Sequence, residues 1–268
     1  MGKLKFLLII LIVCSCKEKT FADDIALNFH KSENLTIQKF NEDGNEMGSS
    51  LIYYGKIDSI IDVKYYRNMI EPPPPPPEKM ENRKDYEKNL LQLNKEKDPS
   101  RKLENLYFRT KEIPYLSTKD YIADSITNKN LSIIVKEKDT IPLYKMDYQS
   151  NEIKKHKAFP IFFKNISGKT LKIPTEFYRI AVFVDYKNGF HLIRNSEHLV
   201  LGCFPPIEFS YFDLKPNEII VFALPHLKKG LNRKAKIKFY NAESKEFNIS
   251  IDEKILEKQE RSNFGFLE

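Results

Sequence analysis

The sequence lacks long apolar segments. Its longest purely apolar run, residues 6–13 near the amino terminus, has eight residues. A membrane-spanning helix needs about 20 consecutive apolar residues. A run of eight is instead the length of the apolar core of a signal peptide. Nothing later in the sequence is apolar enough to cross a membrane.

Glycine and histidine are scarce, with nine and five residues respectively. The glycines fall into none of the patterns GxGxxG, GxxxxGK[ST] or GxSxG, which mark dinucleotide sites, P-loops and α/β-hydrolases. The histidines form neither HExxH nor a Cys/His zinc knuckle. We therefore expect no cofactor, no metal and no catalytic residue, and hence a protein that is not an enzyme.

Basic residues exceed acidic ones by 44 to 37, which gives a formal charge of +7. The two signs are interspersed along the chain, without the block of lysine and arginine that tracks a phosphate backbone. We expect no nucleic-acid partner.

The amino terminus carries a recognisable order of residues. Lys3 and Lys5 precede the apolar run, and Cys14-Ser15-Cys16 follows it. This order resembles the lipobox of bacterial lipoproteins. The resemblance implies that residues 1–15 are removed as a signal peptide and that Cys16 carries the lipid. Cleavage after residue 13 would instead leave Cys14 acylated, but Ser15 is the better small residue before a cut.

Two or three acyl chains hold a protein stably on a bilayer without spanning it. The resemblance therefore implies a lipid-anchored protein of the bacterial cell envelope, with the outer membrane the expected location and its face left open. The membrane, through the acyl chains, is the first expected partner.

Cysteine is also rare, with Cys203 the third and last. With Cys14 removed and Cys16 acylated, the mature chain would have no internal disulfide. Its folded part would depend on a hydrophobic core, which a chain of this length can build.

The first half of the mature chain contains three stretches that differ in residue composition. Residues 16–50 are polar and are expected to form a tether. Residues 51–70 alternate apolar and polar residues as strands do, with a possible hairpin turn at Gly55-Lys56. Residues 71–112 contain a hexaproline, which we interpret as a polyproline II spacer or else a ligand for an aromatic groove. Charged helices at 78–98 and 100–109 are predicted to follow it.

Residues 113–252 read as seven or eight short strands separated by turns, which is typical of a β-sandwich. Asn188-Gly189 between two β-rich runs predicts a hairpin. Alternation predicts strands with Ala235, Ile237 and Phe239 on one face, and with Phe247, Ile249 and Ile251 on one face. Residues 253–268 are predicted to form a terminal helix and tail, with Asp252 as the N-cap.

Three stretches, FPIFFKNISGKTLKIP, FDLKPNEIIVFALP and KAKIKFYN, resemble the strand edges of immunoglobulin-like domains in bacterial envelope proteins. The resemblance implies a mainly β fold with some α, in which an immunoglobulin-like sandwich forms the C-terminal domain. The absence of tryptophan and of a cysteine pair excludes an antibody-type domain.

Three tripeptides resemble the Asp-Ser/Thr-aliphatic acceptor for O-glycans on exported proteins of some Gram-negative bacteria. They place candidate glycans on Ser59, Ser125 and Thr140. Chance occurrence in a chain rich in Asp, Ser and Ile is the alternative.

The best candidate for a partner contact is an apolar loop edge formed by Phe204, Pro205, Pro206, Ile207 and Tyr211, for which a strand crossover in the sandwich is the alternative. We expect a non-catalytic binding or scaffolding lipoprotein with a protein partner in the envelope. An immunity-type lipoprotein that neutralises a toxin is one alternative. An envelope hydrolase of glycans or peptides is another.

Overall fold

The computed structural model describes residues 19–31, 34–38, 50–66, 105–109, 116–118, 125–147, 152–174, 180–193, 209–227 and 229–261. The lipobox with Cys14 and Cys16, the hexaproline, the helix predicted at 78–98, Cys203 and residues 204–207 lie outside this set. Predictions that concern them stay predictions. The described chain is mainly β, as expected, with few helices.

Fifteen strands are described, together with a 3₁₀ helix at Phe21–Asp24 and helix α1 at Glu253–Arg261. The strands are β1 (Ala26–Asn28), β2 (Ser50–Gly55), β3 (Ile60–Asp62), β4 (Leu116–Thr118), β5 (Leu131–Val135), β6 (Ile141–Asp147), β7 (Glu152–Asn165), β8 (Leu171–Pro174), β9 (Ile180–Tyr186), β10 (Gly189–Ile193), β11 (Phe209–Leu214), β12 (Ile219–Pro225), β13 (Leu231–Phe239), β14 (Ala242–Glu243) and β15 (Phe247–Ile251). Within the described ranges, no helix is long and apolar enough to span a bilayer.

Two five-stranded antiparallel sheets form the body. The first has the order β2-β12-β7-β5, and β6 pairs with the first half of the long strand β7. The second has the order β10-β9-β13-β14, with β15 also paired to β13. Two smaller sheets accompany them: β4-β11-β8, and the parallel pair β1-β3.

The main hydrophobic core lies between the two large sheets. Successive side chains of a strand point to opposite faces, so alternate residues of β7 and β13 reach it. Phe163 of β7 contacts Phe239 of β13, with ring centroids 5.4 Å apart, and Phe159 contacts Phe247 of β15 at 5.9 Å. The predicted alternation is confirmed in β13 and β15, where all six of the predicted apolar residues are buried.

A second core covers the other face of the first sheet. Strand β12 is buried along its whole length because both of its faces are covered. Phe162, Ile219 and Val221 turn toward this second core. Its cover comes from residues early in the chain and from β6, and comprises Ala22, Ile25, Ile61, Val63, Tyr65, Ile141, Leu143 and Tyr144.

The early part of the chain is therefore built into the body. Ala22 and Ile25 are buried within the stretch expected as a tether, and Thr36 forms a bridge with His156 of β7. Strand β2 is a member of the first large sheet rather than of a separate segment. The apolar residues at 22, 25 and 27 are too few and too local to signal this docking from the sequence.

The prediction of a hairpin turn at Gly55-Lys56 is wrong. Strand β2 pairs with β12, whereas β3 pairs with β1, so the two strands that flank the turn do not meet each other. Gly55 has a φ of +142°, which L side chains rarely adopt, and Ile57 is exposed rather than part of the strand.

Two local predictions later in the chain are confirmed. Strands β9 and β10 form a hairpin with Tyr186 opposite Gly189, and the positive φ of 54° lies at Lys187 rather than at the Asn-Gly pair. Helix α1 begins where expected, because the Asp252 carboxylate accepts a hydrogen bond from the Lys254 amide at 3.0 Å.

Candidate functional site

All three candidate glycan acceptors lie at the surface outside the strands. Ser59 occupies a bend before β3, Ser125 precedes the turn to β5, and Thr140 precedes β6. The Ser59 carbonyl accepts a hydrogen bond from the Ala26 amide at 2.8 Å, and the Ser125 carbonyl accepts one from the Asn130 side chain at 2.7 Å. The hydroxyl groups are therefore on exposed loop residues, and their glycosylation stays a prediction.

Tyr211 is the one residue of the predicted partner contact that the structure describes. It lies in β11 opposite Leu116 of β4 and Pro174 of β8, and only 9% of it is exposed. The Lys172 ammonium lies 4.9 Å from the centre of its ring. Tyr211 therefore has little free surface to offer a partner, and the remaining four residues fall outside the described ranges.

The most site-like feature is an open cleft of about 410 Å³ that we call the tyrosine cleft. Four separate segments of the chain line it, with the residues Asn28, Phe29, His30, Lys31, Asp62, Val63, Lys64, Leu106, Tyr107 and Tyr144. Its volume falls within the range of roughly 300–1,000 Å³ that is usual for small-molecule sites.

The floor of the tyrosine cleft is aromatic, because it is the margin of the second core. Tyr144 is buried, and its ring contacts Tyr65 at 5.9 Å and Tyr107 at 4.4 Å between centroids. Tyr107 is only partly buried, so it presents ring surface to the cleft. The Lys155 ammonium lies 3.1 Å from the Tyr107 hydroxyl and 4.9 Å from the ring centre, which fixes the ring in place.

The rim of the tyrosine cleft is polar. The Asn28 side-chain amide donates a hydrogen bond to the Asp62 carboxylate at 2.7 Å, across the parallel pair β1-β3. Lys64 donates to the Asn105 carbonyl at 3.1 Å and so holds the segment that carries Leu106 and Tyr107. Leu106 is 61% exposed at the edge of the cleft.

Segment 105–109 is held against the body by backbone and side-chain bonds. The Tyr65 amide donates to the Tyr107 carbonyl at 3.0 Å, and the Arg109 amide donates to the Tyr65 carbonyl at 2.8 Å. The Arg109 side chain donates to the Ile52 carbonyl at 2.8 Å and lies over the rings of Tyr53 and Tyr66. Burial raises the pKa of Tyr66, as it does that of Tyr53, while the nearby guanidinium opposes the rise.

A second concavity, the edge groove, is about 480 Å³ and runs between β5 and residues 241–245, which include β14. Among the described strands, β5 pairs only with β7, so its outer edge faces this groove. One end is closed by Asn128, whose side chain donates to the Glu243 carbonyl at 2.6 Å and accepts from the Glu243 amide at 2.8 Å. Ile166 lies beside it, 48% exposed, and none of the described residues that line the groove is aromatic.

No group of three or more His, Cys, Asp or Glu residues able to hold a metal ion occurs among the residues that the structure describes. Comparison with protein-family models, with curated proteins and with solved structures gave no match to this chain.

Sequence analysis alone missed the tyrosine cleft. Asn28 and Asp62 are 34 residues apart, and Tyr107 and Tyr144 lie further along, so no short motif contains them. The one available signal was the alternation of Ile61, Val63 and Tyr65, which places Asp62 and Lys64 on the opposite face of that segment.

Proposed function

We propose that this chain is a membrane-anchored lipoprotein of the bacterial cell envelope, whose folded part binds a ligand in the tyrosine cleft without transforming it. The observation that carries the binding role is the partly exposed Tyr107 ring beside a hydrogen-bonded Asn28–Asp62 pair, in a cleft of small-molecule size. The lipobox-like order of residues ending at Cys16 supports the anchor.

We propose further that the two large sheets form an immunoglobulin-like sandwich. An immunoglobulin fold has strands A, B, E and D in one sheet and C′, C, F and G in the other. The orders β5-β7-β12 and β10-β9-β13-β15 correspond to A-B-E and to C′-C-F-G. Strand β2, from the early part of the chain, pairs with β12 where strand D would lie.

An anchored binding domain gains from its location. Confinement to a membrane raises its effective concentration toward ligands on the same surface, so a modest intrinsic affinity suffices. This suits an open cleft, which buries less of a ligand than an enclosed cavity does.

The anchor is tested in the full chain expressed in a Gram-negative host. We expect wild-type protein in the membrane fraction, with acyl chains found on Cys16 by mass analysis, and Cys16→Ser in the soluble fraction. Cys14→Ser is the matched control and should stay with the membrane. Release of Cys14→Ser but not of Cys16→Ser would assign the lipid to Cys14, and an unmodified mature terminus would overturn the anchor.

The binding role is tested in the same cells with a photo-crosslinking amino acid. At position 106, on the rim of the tyrosine cleft, we expect an adduct that disappears when Tyr107 is also changed to alanine. Leu231 is the control position, because it is similarly exposed (55%) and does not line the cleft. Equal labelling at positions 106 and 231 would contradict a cleft-specific ligand.

The edge groove favours a second function, the binding of a protein partner as in an immunity-type lipoprotein. An extended segment can add to an open strand edge through main-chain hydrogen bonds. The outer edge of β5, with the exposed Ile166 beside it, offers such an edge among the described strands.

A further inference from the structure

We infer that the ligand of the tyrosine cleft is a saccharide. This inference rests on the proposed binding function of the cleft and names the chemical class that its surfaces fit. Three features carry it: an aromatic platform, a fixed pair of planar polar groups beside that platform, and an excess of lysines that disfavours cationic ligands.

The platform is the ring of Tyr107. An aromatic face carries partial negative charge, and one face of a pyranose ring presents C–H groups that carry partial positive charge, so the two surfaces attract and also exclude water. The orientation of the Tyr107 ring is restricted by its neighbours. Tyr144 packs against the ring, and the Lys155 ammonium contacts both its hydroxyl and its aromatic ring.

The polar pair is Asn28 and Asp62. Each side chain has two polar atoms in a plane, and the bond at 2.7 Å between the amide nitrogen and one carboxylate oxygen fixes how the two planes meet. The second hydrogen of the Asn28 amide, the Asn28 amide oxygen and the second Asp62 carboxylate oxygen take no part in this bond and can bind a ligand. Adjacent hydroxyls of a sugar each donate one hydrogen bond and accept others, so a donor and two acceptors side by side match them.

The charges around the cleft disfavour a cationic ligand. An organic ammonium would fit an aromatic cage, but Lys31, Lys64 and Lys155 lie in or next to the cleft and would repel it. A polyhydroxylated ring carries no positive charge and can use the lysines and the carboxylate as hydrogen-bonding groups.

The test probes the purified full chain against an array of defined neutral and acidic oligosaccharides, followed by calorimetric titration of the best binder. We expect at least one of these oligosaccharides to bind, and Tyr107→Ala to weaken that binding about tenfold, since a ring–ligand contact is worth about a factor of this size. Asp62→Ala should weaken it to a similar extent.

Phe190→Ala is the matched control, because Phe190 is a partly buried aromatic residue of β10 that does not line the cleft. Thermal unfolding of each variant separates lost binding from lost folding. Failure of every oligosaccharide to bind, or binding that neither cleft variant weakens, would overturn the inference. If the molecule crosslinked at position 106 is a protein, the proposed binding function stands and the inference of a saccharide ligand is wrong.

Discussion

At the scale of single residues, Tyr65 joins the second core to the tyrosine cleft. Its side chain is 2% exposed, and its hydroxyl donates to the Pro142 carbonyl at 2.6 Å. Its ring packs edge-on against Tyr144, which forms the cleft floor. Burial raises the pKa of Tyr65 well above its ordinary value, so the phenol is held neutral and able to donate.

Tyr65→Phe removes the hydroxyl and leaves the buried Pro142 carbonyl without this donor. We expect the free energy of unfolding to fall by about 1–2 kcal/mol. The measurement is urea unfolding at neutral pH. Tyr53→Phe is the control, because its hydroxyl bonds to the Lys56 carbonyl at the surface, and it should change stability by less than about 0.5 kcal/mol.

The same variant tests the direction of the pKa shift. A tyrosine whose pKa is higher in the folded state contributes its stability fully below the unfolded pKa of about 10, and loses it as the pH rises above that value. Wild-type protein should therefore lose stability more steeply above pH 10 than Tyr65→Phe does. Parallel pH profiles for the two proteins would place Tyr65 in contact with water.

At the scale of elements, the strongest local feature is a lock between the turn that ends β7 and the turn that precedes β12. Asn165 is fully buried, and its amide donates to the carbonyls of Lys169 and Leu214 at 2.7 and 2.8 Å. Its side-chain oxygen accepts from both the amide and the hydroxyl of Ser167. Glu218 closes the second turn by accepting from the Lys215 amide at 2.9 Å.

Asn165→Ala should cost about 2–4 kcal/mol of unfolding free energy, because two carbonyls and the Ser167 groups lose a buried partner together. Asn165→Asp keeps the shape but cannot donate, so we expect a loss of similar size. Ser167→Ala removes only the hydroxyl and should cost about 1 kcal/mol or less. Equal effects of the alanine changes at 165 and 167 in urea unfolding would contradict the lock.

The two halves of this lock, NIS and LKPNE, lie within stretches that carried the sequence resemblance, which implied strand edges there but not the buried bonds of Asn165. The strands β13 and β15 and the β9-β10 hairpin were predictable from the residues, since alternation and turn residues act over a few positions. The parallel pair β1-β3 and the docking of β2 were not, because long-range pairing leaves no period in the sequence. The tyrosine cleft could not be predicted for the same reason, because the residues that line it are far apart in the sequence.

At the scale of the whole molecule, the described residues within 19–31 and 50–66 cover an apolar surface of the first large sheet. Phe162, Ile219 and Val221 point away from the core between the two sheets and pack under Ile25, Ile61 and Tyr65. The expected boundary at residue 113 therefore divides one set of packed residues.

A chain of residues 110–268 should accordingly fail to form a stable monomer, because the outer face of β7 and β12 would be open to water. We expect it to aggregate or to unfold without cooperativity in urea, whereas residues 19–268 unfold in one transition. Size-exclusion chromatography and far-ultraviolet circular dichroism make the comparison. A monomeric, cooperatively unfolding 110–268 fragment would show that the cover is dispensable.

The excursion that contains the hexaproline also has a different meaning in the folded chain. The described residues on either side of it are Tyr66 and Asn105, and Tyr65 bridges directly to Phe108. The two segments that it connects therefore lie side by side in one body, and the length of residues 67–104 does not set a separation between them.

If Cys16 carries the lipid, the buried Ala22 also limits how far the protein can stand from the bilayer. Ala22 is the sixth residue after Cys16, and a fully stretched chain covers at most about 3.6 Å per residue, or roughly 20 Å. An anchored molecule would therefore keep Ala22 within that distance of the bilayer surface, and the ligands within its reach would be those close to the membrane.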